Sequence, residues 1–166
     1  GKATNFEQAT RSPLIIAAPG LELAGSSSSS PVEFTDIAPT LLELSGIQIP
    51  GYFEGESLLP VLEDTQAGIR EAALSPYPRQ GKMGYTLRSE RYRYTRWQND
   101  DGSAYARELY DYEEDPQERA NLVTDPLLQD LVNRMDSLVI NRMNVPSTQH
   151  KIRFQIFSGD DGRPME

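Results

Sequence analysis

Few residues in this sequence have the type and spacing that catalysis requires. His150 is the only histidine and cysteine is absent, so neither a Ser-His-Asp set nor thiolate chemistry can be assembled from the chain. Two acidic pairs, Asp100-Asp101 and Asp160-Asp161, could offer oxygens to a cation, but both lack flanking oxygen ligands at a suitable spacing. We interpret the pairs as solvated loop charges and His150 as an exposed, inert side chain.

Aromatic side chains are candidates for stacking on sugar rings. They are Tyr77, Tyr85, Tyr92, Tyr94 and Trp97. Aromatic residues that alternate along strands usually belong to a core, so we favour a packing role for them.

Composition excludes two classes of partner. The net charge of −9 opposes a broad electrostatic grip on nucleic acid or anionic lipid. No apolar run reaches the about 18 residues that a membrane span needs, and residues 1–8 have no signal-peptide pattern. The chain begins without methionine and soon enters an apolar run, so we expect a fragment of a longer protein.

The first half of the chain has the pattern of an α/β domain. Residues 14–18 form an apolar run before Pro19-Gly20, which predicts a strand covered on both faces, or else a short buried helix. Residues 26–30 are serines and predict a surface loop. Asp36 is the expected N-cap of a helix that Gly46 ends, and a second short helix is expected at 57–62.

The second half predicts an antiparallel sheet and one covering helix. Alternation over residues 83–88 and 91–97 indicates a hairpin, and residues 108–112 suit a third strand. Asp125 is expected to cap a helix that packs on the sheet through Leu128, Leu131, Val132, Met135, Leu138 and Val139. Residues 152–156 suit an edge strand, and residues 158–166 are expected to be disordered.

Three segments resemble one protein family. Residues 108–122 resemble the "ELYDL..DP.E..NL" segment near the C-terminus of sulfatases, and residues 36–46 are similar to the family's helix after its last core strands. Residues 75–79, 83–85 and 91–95 look closest to the iduronate-2-sulfatase type. The first motif is also physically sensible as scaffold, because Asp115-Pro116 makes a turn and Asn121 leads toward a capped helix.

This resemblance, which runs to about residue 140, implies an α/β fold: the C-terminal part of an alkaline-phosphatase-like sulfatase, ending in a small antiparallel sheet packed by a helix. Residues 1–70 would be the last strand and helices of an incomplete catalytic domain. Residues 71–145 would be the C-terminal subdomain, and residues 146–166 a tail.

Sulfatases use a formylglycine made from the cysteine or serine of a C/S-x-P-S-R motif, together with a calcium ion. Ser75 does not fit this motif, because proline follows it directly and Tyr77 stands where the motif has proline. The resemblance therefore implies that nucleophile and calcium ligands both lie upstream, and that this chain contains no metal site.

The resemblance also suggests three site residues. It places Lys2 on the family's sulfate-contacting lysine, whose ammonium would neutralise charge as the S–O bond breaks. In this chain alone, Lys2 would be a solvated terminal lysine. Arg79 and Lys82 fall in a loop that would contact a sugar carboxylate, although a structural salt bridge is the favoured alternative for Arg79.

The implied parent protein hydrolyses sulfate esters, with a sulfated uronic acid or related sugar as substrate, whereas this chain alone would be inactive. Its expected partners are an N-terminal catalytic domain and sulfated carbohydrate, and the family suggests a periplasmic or secreted location. Two alternatives stay open: a non-catalytic carbohydrate-binding or scaffolding module, and a phosphoester or phosphonate hydrolase of the same superfamily.

Overall fold

The computed structural model describes residues 4–143. The predicted strand at 152–156 and the predicted disorder at 158–166 lie outside these residues. Within them, none of the helices is long and apolar enough to cross a membrane.

The first half of the structure contains three short helices joined by long irregular segments. These are α1 (Glu7–Thr10), α2 (Ile37–Leu44) and α3 (Leu59–Glu63). The sequence prediction for α2 and α3 is confirmed, and Gly46 ends α2 in a left-handed conformation with a φ of 69°. Asp36 stands at the N-cap position, but its side chain makes no capping bond.

The strand or buried helix predicted at residues 14–18 is not formed. This segment has neither helical nor strand structure, and Ile15 is 89% exposed. A parallel strand obtains its hydrogen bonds from neighbouring strands, and no strand in the part of the chain that the structure describes pairs with this segment. The apolar run is therefore left at the surface.

The second half forms a four-stranded antiparallel sheet in the order β1-β2-β3-β4. Its strands are β1 (Ala73–Arg79), β2 (Lys82–Arg88), β3 (Tyr92–Gln98) and β4 (Ala104–Asp111). The predicted hairpin of β2 and β3 is confirmed, and so is the third strand, which begins four residues earlier than expected. Strand β1 is not among the strands predicted from the sequence, which placed Arg79 and Lys82 in a loop; its prolines, Pro76 and Pro78, are tolerated because it lies at an edge of the sheet.

A two-residue turn connects β1 to β2. Gln80 and Gly81 have φ values of 50° and 73°, the left-handed pair that a tight hairpin requires. Arg79 and Lys82 lie directly opposite each other on either side of this turn.

One face of the sheet packs against α4 (Gln129–Met143). The predicted cap is confirmed, since Asp125 Oδ1 accepts a hydrogen bond of 2.9 Å from the Leu127 backbone. The predicted apolar stripe is also confirmed, because its residues pack with the buried side chains of the strands. The core consists of Ala72, Leu87, Tyr94, Leu109, Val132, Met135 and Val139.

A buried ionic cluster joins the first half to the sheet and α4. The carboxylate of Asp36 receives a 2.6 Å hydrogen bond from Arg70 Nη2. Nearby, Glu33 Oε1 accepts a 2.7 Å bond from the Leu74 backbone and a 2.8 Å bond from Arg142 Nη2. These contacts fix the start of β1 relative to α2 and the end of α4.

Candidate functional site

The structure brings two of the three predicted site residues together at one corner of the sheet. Arg79 and Lys82 face each other across the turn between β1 and β2. Lys82 Nζ donates a 2.7 Å hydrogen bond to Asn99 Oδ1 and lies 5.4 Å from the centre of the Tyr105 ring. We name Arg79, Lys82, Asn99 and Tyr105 the hairpin corner. The third predicted residue, Lys2, lies outside the described residues, as does His150.

Arg79 differs from most arginines of the chain in its surroundings. It is exposed and takes part in none of the ion pairs found among residues 4–143, whereas arginines such as Arg70, Arg93 and Arg96 are each held by a carboxylate. The structural salt bridge that the sequence favoured for Arg79 is therefore not formed within this part of the chain. Its planar guanidinium remains available for a carboxylate or sulfate.

The acidic pair Asp100-Asp101 lies in the loop that follows Asn99, and Asp101 is hydrogen-bonded within that loop. Asp101 Oδ1 accepts hydrogen bonds from the Ser103 backbone at 2.9 Å and from its hydroxyl at 2.6 Å. These bonds, together with the charge of Lys82, lower the pKa of Asp101. The interpretation of Asp100-Asp101 as loop charges is confirmed, while Asp160-Asp161 lies beyond the described residues.

Most of the aromatic side chains that were candidates for stacking on sugar rings have structural roles. Tyr85, Tyr92 and Tyr94 pack in or against the core, as the sequence favoured. Burial, and a 2.6 Å hydrogen bond donated to Asp136, raise the pKa of Tyr94. Trp97 Nε1 donates a 2.8 Å bond to Glu108. These contacts leave the rings little freedom to receive a sugar.

Two members of the corner were missed by sequence reasoning. Asn99 lies in a loop of turn composition, and Tyr105 is the second residue of β4, before the strand predicted at 108–112. Tyr105 is nevertheless 66% exposed, and an exposed aromatic ring beside a cation is a signal that only the structure provides.

Two shallow grooves accompany these features. The larger, about 460 Å³, runs between the serine loop, residues 65–71 and the turn at 89–91. Its cations Arg70 and Arg91 are engaged with Asp36 and Asp111, so it offers no unpaired cation. The smaller, about 350 Å³, runs along residues 104–107 of β4 and includes Tyr105.

The described residues do not supply a metal site. Among residues 4–143 no group of three or more histidine, cysteine, aspartate or glutamate side chains could hold a metal ion. The calcium that the resemblance implies does not fit these residues, and no chemical step through it can be assigned to them.

A second polar cluster anchors the segment that follows Lys2 to the other face of the sheet. Asn5 Nδ2 donates to the Gly84 carbonyl and Arg93 Nη1 donates to the Asn5 carbonyl, both at 3.3 Å. Glu118 accepts from the Glu7 backbone at 3.3 Å and also binds Arg93. Arg93 is only 1% exposed. Residues 5–7 are therefore held across the sheet.

These contacts explain the segment at 108–122. Glu118 belongs to it, and its carboxylate also accepts a hydrogen bond from Tyr112. Asn121 Oδ1 accepts from the Leu109 backbone at 2.9 Å, which ties the segment to β4. Asp115 accepts a 2.9 Å bond from the Ala120 backbone. The expectation that this motif is scaffold is confirmed by these contacts.

Comparisons with known proteins find matches over most of this chain. A family model described as N-sulphoglucosamine sulphohydrolase, C-terminal, matches residues 1–144. An N-acetylglucosamine-6-O-sulfatase of Bacteroides thetaiotaomicron is 36% identical over 125 residues, covering 70% of this chain and 22% of that protein. A Delta 4,5-hexuronate-2-O-sulfatase of the same bacterium is 32% identical over 132 residues, covering 73% and 26%.

A solved structure extends the likeness to nearly the whole chain. The phosphonate monoester hydrolase of Silicibacter pomeroyi superposes with a TM-score of 0.71 at 24% identity, covering 99% of this chain and 35% of that protein. The predicted fold class is thereby confirmed. The chain spans only about a quarter of the curated relatives' lengths. The narrower placement beside the iduronate-2-sulfatase type stays a prediction.

Proposed function

The chain belongs to the N-sulphoglucosamine sulphohydrolase C-terminal family, and on this premise we propose that it is the substrate-side portion of a longer sulfatase acting on sulfated sugars. The observation that carries the proposal is the hairpin corner, where Arg79 and Lys82 lie opposite each other without an ion pair in the described part of the chain. A sulfated uronic acid or amino sugar presents the anionic groups that such a pair can bind.

The proposal assigns the nucleophile and the metal to one region of the longer protein and substrate contacts to this chain. Formylglycine and calcium belong, in this proposal, to the region of the polypeptide upstream of this chain. Lys2 neutralises the sulfate from the end of that region, and Arg79 and Lys82 hold the sugar. The planar guanidinium of Arg79 suits a carboxylate, whereas Lys82, oriented by Asn99, acts as a point charge. The 166-residue chain alone has no turnover.

Sulfate release by the complete protein tests the proposal. With sulfated glucosamine and uronic acid disaccharides as substrates, Arg79→Ala and Lys82→Ala are each expected to raise KM about tenfold, because each removes a charged hydrogen bond to substrate. Lys2→Ala is expected to lower kcat by about a hundredfold, since its charge acts in the transition state.

Arg134→Ala is the matched control. Arg134 is an exposed arginine of α4 whose ion pair with Glu71 lies at the surface, so its removal should leave both kinetic constants unchanged. The proposal is wrong if the complete protein releases no sulfate from these sugars, or if Arg79→Ala and Lys82→Ala behave like Arg134→Ala.

A further inference from the structure

We infer that the outer side of β4, near its start, carries a second sugar subsite, in which the Tyr105 ring receives the unit next to the anionic sugar held by Arg79 and Lys82. The inference rests on the proposed function and deepens it, because it makes the substrate an oligosaccharide of at least two units. It is based on the position of Tyr105, an exposed aromatic residue that lies beside the Lys82 cation and also lines a groove along β4.

The exposure of Tyr105 has no explanation in the core. Tyr105 is 66% exposed, and it is not among the side chains that form the core or pack against it. Tyrosine presents a large, rigid surface and loses little conformational entropy when a ligand packs against it. An exposed ring of this kind is suited to the apolar face of a sugar.

The first feature beside Tyr105 is the cation of Lys82. The Lys82 ammonium lies 5.4 Å from the ring centre and is tethered to Asn99 at 2.7 Å. The tether and the attraction between cation and ring hold both groups in a defined arrangement before any ligand arrives. A ligand whose anionic group reaches Lys82 therefore places its next unit near Tyr105.

The second feature is the groove of about 350 Å³ along β4, which Tyr105 also lines together with Arg107 and Gln129. This volume falls within the range of sites for small organic ligands. Arg107 lies 3.4 Å from Asp136, so its charge is only partly free. The groove is thus a weaker site than the hairpin corner, and it extends that site rather than replacing it.

The arrangement of these cations and this ring favours one kind of ligand. Arg79 pairs with Lys82 across the hairpin turn, the Tyr105 ring lies beside Lys82, and Arg107 lines the same groove as Tyr105. A sulfated oligosaccharide alternates anionic substituents and ring faces in the same way. The chain's net charge of −9 disfavours a long polyanion, so a short oligosaccharide is the occupant to which we commit.

Kinetics of the complete sulfatase on two substrates test the inference. Tyr105→Ala is expected to lower kcat/KM for a sulfated tetrasaccharide about tenfold, because the ring contact is lost, and to leave hydrolysis of a small aryl sulfate unchanged. Tyr105→Phe keeps the ring and should retain tetrasaccharide activity. Leu127→Ala removes another exposed side chain and should affect neither substrate.

The outcomes separate the two proposals. If no sulfated sugar is hydrolysed, the proposed function fails. If the tetrasaccharide is hydrolysed and Tyr105→Ala leaves its kcat/KM unchanged, only the second subsite is overturned. An equal loss on tetrasaccharide and aryl sulfate also overturns it, because that result indicates a structural role for Tyr105.

Discussion

At the scale of single residues, one buried carboxylate organises much of the first half of the chain. Asp36 accepts hydrogen bonds from the backbone of Glu33 at 2.7 Å and of Glu56 at 2.9 Å, besides its contacts with Arg70. Its side chain therefore joins two loops to one arginine instead of capping α2. Burial acts to raise the pKa of Asp36, but the hydrogen bonds and the charge of Arg70 outweigh it and hold the pKa below its ordinary value.

Asp36→Asn is expected to lower the free energy of unfolding at neutral pH by about 1–3 kcal/mol, because it removes the carboxylate that Arg70 binds directly and leaves only Glu33 and Glu56, each 3.9 Å away, as counter-charges. Urea denaturation followed by circular dichroism measures the change. Glu43→Gln, at an exposed position of α2, is the control and should change stability by less than about 0.5 kcal/mol. Equal stability of the two variants would refute a structural role for the Asp36 charge.

The same pair gives an expected pH dependence. The folded-state pKa of Asp36 lies below the ordinary 3.8, so its stabilisation is complete above that pH and is lost as pH falls through the folded value. Acidification below 3.8 should therefore narrow the stability gap between the natural chain and Asp36→Asn. A gap that stays constant from pH 7 to the acid transition would contradict this assignment.

At the scale of elements, the docking of residues 5–7 on the sheet depends on a close approach at Gly84. A Cβ atom there would lie 2.8 Å from Asn5 Nδ2 and 2.8 Å from the Trp97 ring, closer than van der Waals contact allows. Glycine at this position of β2 allows the indole and the Asn5 side chain to reach the strand. The position of residues 5–7, which follow Lys2, therefore depends on the absence of a side chain at Gly84.

Gly84→Ala is expected to destabilise the chain by about 1–3 kcal/mol, because the added methyl group overpacks this contact. It should also speed amide exchange of residues 5–10, since Asn5 must move away. Gly68→Ala, where an added Cβ meets nothing within 4 Å, is the matched control. If amide exchange of residues 5–10 is as slow in Gly84→Ala as in the control, the anchoring described for this face is wrong.

At the scale of the whole molecule, the first half leaves several large apolar side chains in water. They are Leu14, Ile15, Leu23, Phe34, Leu41 and Ile47. Large apolar side chains with this exposure are suited to burial at an interface, and residues 14–18, which pair with no strand in the described part of the chain, offer backbone groups for strand pairing. We propose that the upstream catalytic region of the longer protein covers this surface.

The isolated chain is accordingly expected to self-associate, because exposed apolar side chains are buried when copies meet. Sedimentation velocity over a range of concentrations measures this. The double variant Ile15→Asp with Leu41→Glu should shift the distribution toward monomer, whereas Leu127→Ser, at an exposed position beside α4, should not. A monomeric natural chain with residues 14–18 protected from amide exchange would contradict the expectation.

The sequence by itself determined the elements whose signals are local. The Gly46 stop of α2, the Asp125 cap and apolar stripe of α4, and the alternation of β2 and β3 each depend on spacings within a few turns or one hairpin, and all are present in the structure. The scaffold role of residues 108–122 also followed from turn chemistry that neighbouring residues specify.

Only the tertiary structure decided the rest, because the remaining features depend on partners distant in sequence. Residues 14–18 have an apolar pattern suited to a strand, yet no strand forms without neighbours to pair with. Strand β1 forms despite two prolines because it lies at an edge of the sheet. Tyr105 joins Lys82 across the sheet, a contact between strands that no linear spacing encodes.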